Sequence, residues 1–231
     1  MAITGISGAS TLSGNPIRML RPRHEGDVQI TRFNAAFVFY DNRTDAQSYE
    51  NMLDTEGIPT DLVYVKSVGA TDFSKYHVIL IGSDVDSWNA TDVKTILAAN
   101  TPIVAIGAGG ALFLDQVTTP DLYIGWGHSA GSTDQTHAIV FGGDIYSYPY
   151  TIPKSPGDNI YLYYTPGSAV HSLHDPDGVT DRMLRHFSLS NYYPLASEID
   201  RFYQWGFYGS PAGMTGYGRQ IFVNLLYSTL R

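Results

Sequence analysis

The sequence predicts an α/β protein, a three-layer sandwich with a mainly parallel central sheet and an added β-rich C-terminal half. Between residues 35 and 117, short apolar runs alternate with segments of helical periodicity, and the run 103–106 passes through glycines into a helix. This alternation is typical of parallel strands joined by crossover helices. After Val117 the apolar runs are shorter and are separated by Pro, Gly and Tyr, which favours strands.

Strands and helices can be placed in chain order from these patterns. We place four strands at residues 35–40, 60–65, 77–82 and 103–106. Helices are predicted at residues 44–56, 89–99, 111–117 and 214–230. Thr44, Asn89 and Thr215 are suited to cap three of these helices, because their side chains can accept from free backbone N–H groups. Further strand-like runs occur at residues 122–126, 138–141, 159–165 and 199–208.

The start of the chain differs in composition from the rest. Residues 1–32 are rich in Gly, Ser and Thr and then in arginine, without clear periodicity, and predict an N-terminal arm or lead-in. Residues 33–231 predict a single α/β domain. We therefore expect one folded unit with a short preceding segment.

Composition excludes several functional classes. The 231-residue chain has a formal net charge of −8 and no cysteine. The negative charge argues against a nucleic-acid partner, and the lack of cysteine removes disulfides, thiolate zinc sites and cysteine nucleophiles. No apolar run is long enough to span a membrane. With seventeen tyrosines and few lysines, the composition slightly favours an extracellular or cell-surface location over a cytoplasmic one.

The carboxyl ends of the parallel strands predict a ligand-binding crevice. In α/β sheets, loops at this edge gather around bound ligands, and backbone N–H groups at helix starts point into it. Arg43 could hold an anion there. The crevice residues are Asp41, Asn42, Arg43, Gly82, Ser83, Asp84, Gly107, Gly109 and Gly110.

Two segments of this core resemble a known family. His77-Val-Ile-Leu-Ile-Gly-Ser-Asp84 and Pro102-Ile-Val-Ala-Ile-Gly-Ala-Gly-Gly-Ala111 are similar to the core of class I glutamine amidotransferase-like domains, which are flavodoxin-like, including their trehalose-utilisation-type relatives. The resemblance covers roughly residues 35–117 and implies that fold.

The resemblance also implies where catalytic groups would lie. In the family, the turn after the corresponding strand is G-x-C-x-G with the cysteine as nucleophile in a strained elbow, and here Gly109 takes the cysteine's position. Trp205-Gly-Phe-Tyr-Gly209 stands where the family has a histidine and a carboxylate. Amidotransferase chemistry is therefore excluded. We predict a non-catalytic binding or structural module for a small molecule, carbohydrate or protein, without cofactor, with homo-oligomerisation open.

A serine hydrolase is the alternative. Gly127-His-Ser-Ala-Gly131 matches the G-x-S-x-G nucleophile elbow and would make Ser129 the nucleophile of an esterase-like enzyme. Asp175 and His186 follow in the required order, although Asp177 and Asp181 could also serve as the acid. The residues after Gly131 are a poor start for the helix that this elbow needs.

Two further patterns have a structural and a functional interpretation. We predict no metal site, but the weak candidates for one are His171, His174, Asp175, Asp177 and Asp181, in a sequence that is also a strong polar turn. The tyrosines at 146, 148, 150, 161, 163 and 164 alternate with smaller residues, as in an edge hairpin with one aromatic face. Such a face can stack on sugars, contact a protein or be half-buried sheet surface.

Overall fold

A computed structural model describes residues 33–126, 129–134, 137–165, 169–174 and 180–230. These residues belong to one compact unit that begins at Arg32. The predicted N-terminal arm, residues 1–32, lies outside the described residues.

The described residues form a nine-stranded sheet whose first half is parallel, in the order β2-β1-β3-β4-β12. These strands are β1 (Ala35–Phe39), β2 (Thr60–Tyr64), β3 (Val78–Ile81), β4 (Ile103–Ile106) and β12 (Phe202–Trp205). β3 and β4 are buried along their whole length, as their uninterrupted apolar sequences predict. The four strands predicted in this region, and their parallel pairing, are confirmed.

The second half of the sheet is antiparallel, in the order β12-β11-β9-β6-β7. Its further strands are β6 (His137–Val140), β7 (Asn159–Tyr161), β9 (Thr180–His186) and β11 (Leu195–Glu198). The prediction of a mainly parallel sheet is wrong for this half. Parallel neighbours need long crossover connections, usually helical, and the described residues between Asp115 and Gly216 contain no α-helix.

A separate three-stranded antiparallel sheet, in the order β10-β8-β5, is formed by β5 (Ser129–Asp134), β8 (Ala169–His174) and β10 (Tyr192–Tyr193). The strand predicted at residues 122–126 is instead an irregular segment. In the segment predicted as a polar turn, residues 171–174 belong to β8 and Asp181 belongs to β9. The Asp-Pro-Asp-Gly sequence between them lies outside the described residues, so the turn itself stays a prediction.

Four α-helices pack on the two faces of the large sheet: α1 (Arg43–Thr55), α2 (Ala90–Ala98), α3 (Gly107–Asp115) and α4 (Gly216–Ser228). Asn89 and Thr215 cap α2 and α4 as predicted. The cap of α1 is Asn42 rather than Thr44: its Oδ1 accepts from the N–H of Asp45 at 3.0 Å. Among the described residues, no helix is long and apolar enough to cross a membrane.

Each face of the sheet carries its own hydrophobic core. On one face, Tyr49 of α1 and Trp205 of β12 both contact Phe222 of α4, at ring-centroid distances of 5.4 and 5.1 Å. On the other face, Phe113 of α3 and Ile96 of α2 are fully buried. Because helices on both faces bury the strands, the strand ends and the sheet edges are left to form sites.

The turn between β11 and β12 is strained. The N–H of Arg201 donates to the carbonyl of Glu198, and the two residues between them, Ile199 and Asp200, have φ of 50° and 53°. A turn of this type favours Asn and Gly, whereas a β-branched residue with positive φ is an outlier. The strain is local, since the Ile199 side chain is 56% exposed.

We expect the double substitution Ile199→Asn and Asp200→Gly to raise the free energy of unfolding by about 1 kcal/mol, because both new residues adopt positive φ easily. Urea denaturation measures this change. The opposite control is Gly157→Ala, at φ 98° with no neighbouring atom in reach of a Cβ, which should lower stability by a similar amount. An unchanged or lowered stability of the double variant would contradict the assigned strain.

Candidate functional site

The predicted crevice residues do come together at the carboxyl ends of β1, β3 and β4, but they contact one another. One carboxylate oxygen of Asp84, after β3, accepts from the backbone N–H groups of Tyr40, Asp41 and Asn42 at 3.0, 2.7 and 2.7 Å. Successive N–H groups of this kind form an anion-binding concavity. In this chain its donors are occupied by the protein's own carboxylate.

Gly107 is the strained residue of the strand–helix elbow. It follows β4 directly, starts α3 and has φ of 55°, whereas Gly109 lies inside the helix without a positive φ. The positive φ of the elbow therefore lies two residues before Gly109, the glycine that the resemblance matches to the cysteine. A Cβ at position 107 would lie 2.7 Å from Tyr208 Cδ1 and 2.8 Å from Ser83 Cβ, so the space for a nucleophile is filled.

The first turn of α3 is packed directly on backbone. A Cβ at Gly109 would overlap the carbonyl oxygen of Gly82 and lie 2.8 Å from both N and O of Val85. The N–H of Gly109 donates to Ser83 O at 3.1 Å, and its carbonyl accepts from the Trp88 indole at 3.2 Å. The Gly109 N–H at this helix start is thus satisfied within the chain. Ligand binding by the crevice residues stays a prediction, and these contacts favour a structural role.

A second glycine lies in Trp205–Gly209, the segment that the sequence resemblance matches to the family's histidine and carboxylate. A Cβ at Gly206 would overlap the carbonyl oxygen of His171 in β8, and it would lie 2.9 Å from Pro194 O. The backbone of β8 is held there because the N–H of His171 donates to Gly206 O at 2.7 Å. The small sheet therefore takes the space that a catalytic side chain at this position would need.

Arg43, which was predicted to hold an anion in the crevice, lines a groove beside the edge strand β2. The carboxylates Glu50 and Asp61 line the same groove. The groove has a volume of about 670 Å³. The Asp61 carboxylate accepts from the Tyr76 hydroxyl at 2.7 Å and from Lys75 at 3.3 Å, and the Tyr76 hydrogen bond lowers the pKa of Asp61. The charges in this groove largely balance each other, which does not favour an anion site at Arg43.

A polar cluster that the sequence did not reveal lies at the same end of the sheet as the predicted crevice. The hydroxyls of Tyr49 and Tyr163 both donate to Gly209 O, at 3.3 and 3.0 Å. Nearby, burial raises the pKa of Asp45, although a hydrogen bond from Ser210 opposes the shift. No local signal could have found this cluster, because its members come from distant segments of the chain.

Of the three residues of the predicted hydrolase triad, only His186 has a described side chain. Ser129 begins β5 and so does not stand between a strand and a helix, as a nucleophile elbow requires. Asp175 and the first two residues of the motif lie outside the described residues. His186 Nδ1 accepts from the N–H groups of Ser188 and Leu189, both at 3.1 Å. The hydrolase stays a prediction that no contact favours.

The metal candidates are separated in the described part of the chain. His171 and His174 are three residues apart in β8, so their side chains project from opposite faces of the strand. Asp181 lies in β9, which pairs with β11 in the other sheet, and Asp177 lies outside the described residues together with Asp175. Among the described residues, no three His, Asp or Glu side chains are placed to hold a metal ion.

The tyrosines do not form one aromatic hairpin face, so that prediction is wrong. Residues 146–150 are in turns, where Tyr146 and Tyr150 pack on a core, and Tyr163 is buried. Tyr161 and Tyr164 are 58% and 73% exposed. The hairpin fails because the tyrosines of 146–150 anchor a loop, as shown by the Tyr146 hydroxyl that donates to Met183 O at 2.6 Å.

Tyr161 does line an open groove at the opposite sheet edge from β2. This groove lies between the edge strand β7 and the start of α4 and has a volume of about 450 Å³. We call it the β7–α4 groove. Its described lining residues are Lys154, Asn159, Tyr161, Thr215, Gly216, Tyr217 and Gln220. Asn159 and Gln220 were not expected from the sequence, because only the approach of α4 to β7 gives them a common surface.

Comparisons with solved structures agree with this fold. The chain is similar to a protein from Thermoplasma acidophilum that is assigned to GMP synthase as one of its subunits, with 12% identity over 86% of this chain and 94% of that chain and a TM-score of 0.56. It is also similar to a chain of PurLQS from Thermotoga maritima, with 12% identity over 85% and 98% and a TM-score of 0.51.

No protein-family model matches the sequence, and no curated protein matches it. The structural likeness nevertheless confirms the resemblance at the level of fold: the chain has a class I glutamine amidotransferase-like fold without any cysteine. Sequence identities of 12% support a shared fold but not a shared activity.

His171 is a buried histidine whose ring stacks on Trp126 at a centroid distance of 4.8 Å and an interplanar angle of 15°. It is 1% exposed, and within the part of the chain that the structure describes neither ring nitrogen makes a hydrogen bond of normal geometry. Burial lowers its pKa from 6.5 to about 4. The folded protein therefore holds this imidazole neutral where the unfolded chain would protonate it.

We expect the His171→Phe variant to lose less stability on acidification than the wild type. The unfolded chain binds the His171 proton below pH 6.5 and the folded protein only below about 4, so wild-type stability falls as the pH drops through this window. The difference should reach about 3 kcal/mol by pH 4. Urea denaturation of both proteins between pH 7 and pH 4 measures it, and parallel pH profiles would contradict the assignment.

Proposed function

We propose that the protein is a non-catalytic binding module built on a class I glutamine amidotransferase-like fold. The observation that carries this proposal is the filled elbow: Gly107 keeps the backbone geometry of the strand–helix junction, but Tyr208 and Ser83 occupy the place of a side chain. A fold that retains the elbow without a nucleophile can keep its surfaces for binding.

Gly206 supports the same proposal independently. At this position β8 backbone lies where the histidine or carboxylate of an activating pair would project. Because both positions are closed by different parts of the chain, one substitution could not restore a nucleophile together with its base. The proposed binding function therefore does not depend on the missing cysteine alone.

We expect the wild-type protein to release no ammonia from glutamine above the rate of a protein-free control. The Gly107→Cys variant should also be inactive and should lose about 2 kcal/mol of stability, because it combines a positive φ with steric overlap. A glutamate dehydrogenase-coupled assay and urea denaturation measure these results. Gly69→Cys, where no atom lies within 4 Å of a Cβ, is the matched control and should keep wild-type stability. Ammonia release by the wild type would refute the proposal, and release by Gly107→Cys would refute the filled elbow on which it rests.

We also expect no labelling of Ser129 by a fluorophosphonate probe, since this residue begins a strand instead of forming a strand–helix elbow. Mass spectrometry of the labelled protein tests this, with a serine esterase in the same reaction as a positive control. Labelling that disappears in Ser129→Ala, together with hydrolysis of p-nitrophenyl acetate, would instead favour the hydrolase.

A further inference from the structure

The β7–α4 groove has the composition of a ligand site rather than of ordinary surface. Tyr161 and Tyr217 are 58% and 36% exposed and line the same concavity. Its volume of about 450 Å³ is within the range of roughly 300–1,000 Å³ of small-molecule sites. Such sites combine aromatic walls with a few polar groups that fix orientation, which is what this groove offers.

The polar groups of the groove match a ligand that both donates and accepts hydrogen bonds. Asn159 and Gln220 each present an amide with two N–H donors and a carbonyl acceptor. Lys154 supplies the charge, and the other described lining residues are uncharged. This set disfavours a cationic ligand and fits a neutral molecule that carries many hydroxyl groups.

The Tyr161 side of the groove is held in place by contacts within the chain. The Tyr161 ring stacks on His137 at a centroid distance of 4.8 Å, and His137 in turn contacts the Phe187 ring at 4.3 Å. The backbone carbonyl of Tyr161 accepts from Thr215 Oγ1 at 2.6 Å, which ties β7 to the residue that caps α4. A site held in this way loses little conformational entropy on binding.

We propose that the β7–α4 groove binds a neutral saccharide, with one sugar ring stacked on Tyr161 and its hydroxyls bonded to the side-chain amides of Asn159 and Gln220. A pyranose has an apolar face of C–H groups that packs on an aromatic ring and a rim of hydroxyls that donate and accept. This inference rests on the proposed binding function and adds the site and the class of ligand.

The test titrates the full chain with maltotetraose, cellotetraose and chitotetraose by isothermal titration calorimetry, up to about 10 mM, since weak stacking sites bind in the millimolar range. We expect at least one saccharide to bind. Tyr161→Ala should weaken this binding about tenfold, because the stacking platform is lost, and Tyr161→Phe should retain it. Tyr164→Ala, which removes a tyrosine that is 73% exposed and does not line the groove, is the matched control and should bind as the wild type does.

Two results would overturn the saccharide site: binding that Tyr161→Ala leaves unchanged, or no binding of any of the three saccharides. In the second case, a decaproline peptide is titrated as well, and Tyr161-dependent binding of it would assign the groove to a peptide instead. The ammonia assay separates this outcome from failure of the proposed function. If saccharides do not bind and glutamine is not hydrolysed, only the ligand assignment fails. If ammonia is released, the non-catalytic function fails whatever the saccharides do.

Discussion

At the start of α3, helix and sheet meet through glycine, and their backbones pack directly on each other. A Cβ at Gly110 would overlap the backbone of Ala105 in β4, just as one at Gly109 would overlap Gly82 after β3. This approach lets α3 cover the sheet and bury Phe113 and Leu114. The same packing leaves no space for a side chain at Gly109 or Gly110, so one steric constraint organises this face of the core.

The chain after α3 makes a second close backbone contact, through the small three-stranded sheet. After Asp115 the described chain has no α-helix before α4, so its strands pair as hairpins and long returns. One strand, β8, passes close enough to β12 that its backbone fills the space at Gly206 and forms a hydrogen bond with it. The class I glutamine amidotransferase-like fold is thus retained, and backbone of β8 fills the space beside Gly206.

With the strand ends filled, the sheet edges offer the available concave surfaces. The groove at β2 is rich in opposed charges that already pair, as Asp61 does with Tyr76 and Lys75. The groove at β7 presents exposed tyrosines and neutral amides and is held rigid by the contact between Tyr161 and His137. These differences in charge and order explain why binding is assigned to the β7 edge.

The sequence by itself determined four of the five parallel strands, because buried strands such as Val78–Ile81 are apolar throughout. It also determined where α2 and α4 begin, because Asn89 and Thr215 are typical capping residues. It also excluded cysteine chemistry outright. Only the tertiary structure placed the strained elbow at Gly107, put His171 in a strand and gathered Asn159, Tyr161 and Gln220 into one groove. Local patterns report periodicity and capping, whereas these features arise from contacts between segments far apart in the chain.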